Sequence, residues 1–240
     1  VTAIYMALGG APRNIESSFE VDPAPAVLCS YVYFKQFEKL LQTAKIRFWV
    51  LDSGAFTAHS QGKPIAIADY IAFCHDVLQG PCPPHEVYAL DVIGDHVASA
   101  HNTELMWKAG IPAIPTFHIG EPEQALVDLA KHYPKLALGG IAGMGPRALP
   151  FLKQCFARVW PKPMHAFGVH SEEVLMALPF HSADATNWQL TPTAFGRWQC
   201  YDGLKLGVRK GFHLRPQVDL FMDLERKLVS KWGKELARFQ

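Results

Sequence analysis

The chain has 240 residues, of which 49% are hydrophobic, and a formal net charge of +1. That length supports one sizeable core, and the total charge singles out no partner. Its five cysteines (29, 74, 82, 155 and 200) are scattered without a CxxC pair. This argues against a disulfide framework or zinc knuckle and for reduced thiols in a cytoplasmic protein. No apolar stretch reaches the roughly 18 residues of a membrane span, and no charged region precedes the first apolar run, so neither a span nor a signal peptide is expected.

Eight short apolar runs follow in order: AIYMAL (3–8), AVLCSY (26–31), RFWVL (47–51), EVYALD (86–91), PAIPTFH (112–118), LALGG (136–140), MHAFGV (164–169) and FHSAD (180–184). A Gly/Pro-rich connection, 9–25, separates the first two. Amphipathic helix candidates lie at 68–78, 97–109, 121–132, 146–159 and 171–178. Continuous apolar strands alternating with helices predict a parallel sheet covered on both faces. Eight of them in about this length predict a single-domain (β/α)8 TIM-type barrel over 1–240. The runner-up is an open doubly wound sheet, although no GxGxxG follows the first run. After the eighth run, 189–216 reads as an irregular basic segment. A closing helix over 217–238 carries Val218, Phe221, Met222, Leu228, Val229, Trp232 and Leu236 at near-helical spacing.

Charge is unevenly spread. Residues 197–240 hold ten Lys/Arg against five acids.

In a parallel barrel the C-terminal strand ends ring the active-site mouth. The runs end at Asp52, Asp91, His118, Gly139-Gly140, Phe167-Gly168 and Asp184. Any one of these acids is more often a cap or turn former than a catalyst. Three at one mouth are unfavourable without a cationic or polar ligand. Paired carboxylates suit chemistry at an anomeric carbon, one attacking an oxocarbenium-like centre and the other moving a proton. Phe56 and Phe167 suit a flat ligand between two rings, and Asp91 suits two N–H donors on a purine-like edge. The glycines let a ligand approach backbone N–H groups. The residues themselves therefore suggest glycosyl transfer or hydrolysis at a planar heterocycle.

The ordered set LDSGAF (51–56), LDV (90–92), LALGGIAG (136–143), HAFGVHS (165–171) and SADATNW (182–188) resembles the tRNA-guanine transglycosylase superfamily, most of all its phage and bacterial 7-deazaguanine DNA transglycosylase branch. The resemblance implies that Asp184 attacks C1′ and expels guanine, that Asp52 is the general acid/base, and that Asp91 reads the amino-pyrimidinone edge. It further implies that Gly139 and Gly140 donate to the base carbonyl while Phe56 and Phe167 sandwich the ring. His118 stands where the tRNA enzymes use a Gln near that carbonyl. The family's zinc site is not expected, since only Cys200 and His213 occupy its region and about four ligands are needed; no cofactor is implied. Lys205, Arg209, Lys210 and Arg215 are expected to hold phosphates of DNA. The implied reaction replaces guanine in DNA with a 7-deazaguanine base, such as a queuosine precursor, through a covalent Asp184–sugar intermediate on an unstacked nucleotide. Alternatives are a related enzyme acting on RNA or a nucleoside, a non-catalytic base-binding or nucleic-acid-binding subunit, and a metal-dependent barrel hydrolase using His118, His165 or His170 with Asp184.

Overall fold

In β1 (Ala3–Ala7) successive side chains turn to opposite faces, and both faces are buried. Tyr5 and Ala7 join Leu28, Val50, Tyr88, Ile114 and Ala137 in a cluster made of strand and bridging residues alone. Ile4 and Met6 join Val27, Trp49, Leu51 and Leu138 in the larger cluster that takes in the helices. This period of two, apolar on both sides, is why the runs read as continuous hydrophobic stretches. The first cluster fills the inside of a curled sheet, and the second lies between sheet and helices.

The computed structural model describes residues 2–9, 15–189 and 214–239. Among them, β1, β2 (Ala26–Ser30), β3 (Phe48–Asp52), β4 (Thr116–His118), β5 (Leu136–Gly139), β6 (Met164–Ala166) and β7 (Ser182–Ala185) form one parallel seven-stranded sheet. Their order is β3-β2-β1-β7-β6-β5-β4.

The eight-stranded barrel expected from the sequence is not fully formed, because run 86–91 makes no regular strand. It reaches both sheet edges through two isolated bridges, Leu51 to Val87 and Tyr88 to Ile114. The Tyr88 N–H donates to the Leu51 carbonyl at 2.8 Å and the Ala89 N–H to the Ile114 carbonyl at 2.9 Å. The neighbouring run contains Pro112 and Pro115, which have no N–H to offer a ladder. Pairing there stops after one bridge, and the 112–118 run shortens to the three residues of β4.

Helices α1 (Phe34–Thr43), α2 (Ala55–Ser60), α3 (Ile67–Leu78), α4 (His96–Lys108), α5 (Glu123–His132), α6 (Leu149–Val159) and α7 (Glu172–Ala177) lie in the connections. Five of them match the expected amphipathic stretches to within a few residues, with a 3-10 turn, Gly145–Ala148, leading into α6. Helix α1 was not among those stretches, although Phe34, Phe37, Leu40 and Leu41 form its buried stripe.

The closing helix runs Arg215–Leu236 and buries Val218, Phe221, Met222, Leu228 and Leu236, as its spacing predicts. Its Glu225 accepts the Ile4 N–H at 2.8 Å and two hydrogen bonds from Arg47, at 2.8 and 3.0 Å. One carboxylate thus ties the helix to the starts of β1 and β3. Most of the expected basic segment, including Lys205, Arg209 and Lys210 as well as Cys200 and His213, lies outside the described residues. Arg215 is exposed in the first turn of the closing helix.

Candidate functional site

Alternation along the inward face decides what reaches the mouth. Phe48 and Val50 point inward on β3, so Asp52 does too; Ala26 and Leu28 do the same for Ser30 on β2, which pairs with Asp52 in register. On β7, Asp184 stands opposite Tyr5. Asp52 and Asp184 therefore come from separate strand ends onto one rim, as a parallel sheet requires, while Asp91 arrives from the bridging segment that makes no regular strand.

Asp52 ends β3 at a tight turn. Its Oδ2 accepts the Gly54 N–H at 3.0 Å, and Gly54 has φ +74°. A Cβ at Gly54 would lie 2.7 Å from Val32 Cγ2, so both the backbone angle and the space demand glycine. Burial pushes the Asp52 carboxyl up to about 7; the Gly54 N–H opposes this, while the negative charges of Asp184 and Asp91 add to it. The turn former is also a carboxyl that titrates near neutrality.

Asp184 is 6% exposed, and its Oδ1 takes two donors: the Gly168 N–H at 2.8 Å and His165 Nε2 at 3.3 Å. Asp91 follows the bridging segment, and its Oδ2 lies 3.5 Å from His118 Nε2. The other ring nitrogen of His118 lies 3.1 Å from Glu121 Oε1. Burial alone would lower the His118 pKa, but Asp91 and Glu121 outweigh it and raise the value to about 9. His118 is thus an imidazolium clamped between two carboxylates. Burial raises the Asp91 carboxyl, and the His118 charge restrains the rise.

Each of the three aspartates spends one oxygen on the protein. Among the described residues the second oxygen, Oδ1 of Asp52 and Asp91 and Oδ2 of Asp184, has no donor within full hydrogen-bond geometry, although the Ser53 N–H faces the Asp52 carboxyl and the Thr116 hydroxyl that of Asp91. Two hydroxyls at the same rim are also unsatisfied. Ser30 Oγ (6% exposed residue) has no partner, and Thr116 Oγ1 (5%) faces Asp91 without reaching hydrogen-bond geometry. Buried polar atoms without partners are rare, and of the six among the described residues three, Ser30 Oγ, Thr116 Oγ1 and Glu121 Oε2, lie near the aspartates.

Gly139 makes room for His118, and Gly140 for Ile119 beside it. A Cβ at Gly139 would sit 2.6 Å from His118 Cδ2, and one at Gly140 (φ +74°) 3.0 Å from Ile119 Cγ2. The Gly139 carbonyl accepts the Ile119 N–H at 3.2 Å. Phe167 packs edge-on against Tyr88 and His165, with ring centroids 4.9 and 4.6 Å apart, whereas Phe56 on α2 is 76% exposed.

Ser30, Thr116 and Glu121 were not singled out from the sequence, and His165 was named with Asp184 only in the metal-dependent hydrolase alternative. The inward alternation would have picked out Ser30 and Thr116, and the i,i+3 spacing from His118 would have picked out Glu121. Among the described residues no three His, Cys, Asp or Glu side chains are grouped to hold a metal ion.

No family model and no curated protein matches the chain. Among solved structures, the chain is similar to a mutant tryptophan synthase α-subunit from the hyperthermophile Pyrococcus furiosus, with 10% identity, a TM-score of 0.56, and coverage of 95% of this chain and 97% of that one. A second mutant of the same subunit gives 12% identity, a TM-score of 0.56 and the same coverage. At such identities the likeness establishes the fold alone, an α/β architecture of TIM-barrel type. It also corrects the family resemblance drawn from the short motifs. No transglycosylase model matches, and these structural neighbours are tryptophan synthase subunits. The physical reason is that an acid or glycine at a strand end, followed by a tight turn, is a demand of parallel strand-to-helix connections in general. An ordered series of such short peptides reports the frame more than the lineage.

Proposed function

We propose that the rim carries out pentosyl transfer at an N-glycosidic bond, exchanging a guanine-type base. The observation that carries this reading is the set of three aspartates, each with one oxygen anchored and the other without a donor in full hydrogen-bond geometry, one of them titrating near 7.

Asp184 attacks the anomeric carbon through Oδ2. As the O–C1′ bond forms, the C1′–N bond breaks and its electron pair leaves with the base. The Asp52 carboxylic acid donates its proton to that nitrogen. In the second half, Asp52 as carboxylate takes the proton from an incoming base, whose nitrogen attacks C1′ and releases the Asp184 carboxylate. Asp52 suits both halves because a group titrating near the working pH is populated in each form. Asp91 Oδ1 accepts from the ligand. Guanine suits it, because its N1–H and N2–H donors lie side by side on one edge, and 7-deazaguanine bases keep that edge. Phe167, Phe56, Gly139 and Gly140 bound the base pocket in this reading. The carrier is DNA, with RNA the alternative, and the basic residues near the C-terminus, Arg215 among them, provide the charge for its phosphates.

The test is exchange of radiolabelled guanine into guanine-containing DNA and RNA oligonucleotides, with denaturing gels to trap a covalent protein–oligonucleotide adduct. Asp184→Asn is expected to lose both exchange and adduct by at least about 1,000-fold while keeping its melting temperature within a few degrees. Exchange by the Asn variant at the wild-type rate removes Asp184 from the role. Binding of guanine by the wild type with no exchange on either polymer makes the protein a binding subunit instead.

A further inference from the structure

Beneath the rim lies a buried imidazole that the reaction above does not use. His165 on β6 is fully buried, and its two ring nitrogens have different partners: Nδ1 lies 2.9 Å from Ser182 Oγ, and Nε2 lies 3.3 Å from Asp184 Oδ1. A carboxylate only accepts, so Nε2 carries the proton, and Nδ1 accepts from the Ser182 hydroxyl. Aromatic rings hold the imidazole on three sides. Tyr5 stacks on it at 5.3 Å and 17°, Tyr88 tilts over it at 4.9 Å, and Phe167 meets it edge-on at 4.6 Å. The ring has no room to turn. Burial keeps it neutral, outweighing the pull of Asp184.

We infer that His165 is a positioning residue for Asp184: its Nε2–H and the Gly168 N–H together occupy Oδ1, so that Oδ2 alone is presented to the sugar carbon. The inference rests on Asp184 being the nucleophile. A free carboxylate side chain rotates and shares its charge between two equivalent oxygens. One held by two donors on the same oxygen is fixed in direction before the substrate arrives, and that pre-organisation favours the attacking geometry. His165 touches neither substrate nor base. Its effect falls on the rate of ester formation and leaves the base pocket alone. The titratable groups around the pair are Asp52 and His170 towards the mouth and Tyr5, Tyr88, Glu86, Lys135 and a His181 kept neutral by burial beneath. Lys135 and Glu86 pair with each other at 2.7 Å, so no net charge in the floor substitutes for the lost donor.

The experiment compares wild type, His165→Phe, His165→Gln and Asp184→Asn in single-turnover adduct formation. The probes are guanine-containing DNA and RNA oligonucleotides, with free guanine affinity measured in parallel by calorimetry. His165→Phe keeps a ring but offers no donor. It is expected to slow adduct formation about 10- to 100-fold with guanine affinity unchanged. The longer Gln places an N–H near Nε2 and is expected to recover to within a few-fold of wild type. Wild-type adduct rates in His165→Phe, or a Gln variant as slow as Phe, overturn the inference. If His165→Phe does not fold, His165→Asn against His165→Gln makes the same comparison, since Asn is too short to reach Asp184. Adduct formation by Asp184→Asn, or none by wild type on either oligonucleotide, defeats the nucleophile reading and this inference with it. An inactive Asp184→Asn beside an unaffected His165→Phe defeats the inference alone.

Discussion

Asp52 holds a turn with one oxygen and keeps a proton near neutrality with the rest of the carboxyl, and the second property has a cost for folding. An unfolded Asp titrates near about 4, whereas folded Asp52 titrates at about 7. Between those values the folded chain binds more protons than the unfolded one. The contribution is therefore fully present below about pH 4 and is lost as pH rises through about 7. Asp52→Asn keeps an acceptor for the Gly54 N–H and removes the charge. It is expected to gain about 1–3 kcal/mol over wild type at pH 8 and nothing at pH 3.5, by urea denaturation at the two values. Exchange activity should collapse in the same variant. A gain that is equal at both pH values would show that burial of the Asp52 charge is not its source. The residue's place at a strand end was legible in the sequence. Its titration near 7 was not, because that depends on burial and on Asp184 and Asp91, which only folding brings near.

At the scale of elements, the β4–β5 pairing places Gly139 opposite His118, and this register builds the Asp91–His118–Glu121 clamp. The sequence suggested glycine as room for a ligand; at Gly139 the nearest occupant is the His118 ring itself. Gly139→Ala puts a methyl 2.6 Å from His118 Cδ2, a distance that forces the ring or the strand to move. A cost of about 1–3 kcal/mol is expected from such overpacking, measured by denaturant melts. The His118 pKa should fall from about 9 as the ring is pushed off its carboxylates, which NMR titration of the imidazole would follow. An unchanged His118 titration would mean that the strand yields and the clamp survives. The run that ends in β4 also bears on the strand that does not form at 86–91. Run 86–91 has the apolar composition of a strand, but its neighbour holds two prolines, and a ladder depends on the partner's N–H groups as much as on its own.

For the molecule as a whole, one buried carboxylate links the closing helix to the starts of two strands. Glu225 joins the closing helix to Arg47 ahead of β3 and to the Ile4 N–H in β1. Its removal leaves an N–H and a guanidinium without their acceptor. Glu225→Ala is expected to cost about 2–4 kcal/mol in urea denaturation, less than a fully buried pair because water reaches part of the Arg47 side chain. Glu225→Gln should recover part of that loss by still accepting from Ile4. A cost below about 1 kcal/mol for the Ala variant would mean that the apolar face of the helix holds the end closed unaided. The stripe that docks this helix was readable from its spacing. The ion pair across the chain was not, since neither Arg47 nor Glu225 carries a local mark of its partner.

The sequence by itself determined the parallel α/β frame, the order of the elements and which side chains stand at strand ends, because alternation, helical spacing and turn chemistry are local properties. It did not determine lineage, since the same strand-end turns serve unrelated barrels. Tertiary structure alone decided that run 86–91 would bridge two edges without forming a strand, and that Gly139 would make room for His118. It also made His118 an imidazolium and set a neutral His165 behind Asp184. Each of these follows from a distance between segments far apart in the chain, and burial, charge coupling and hydrogen-bond geometry act only through such distances.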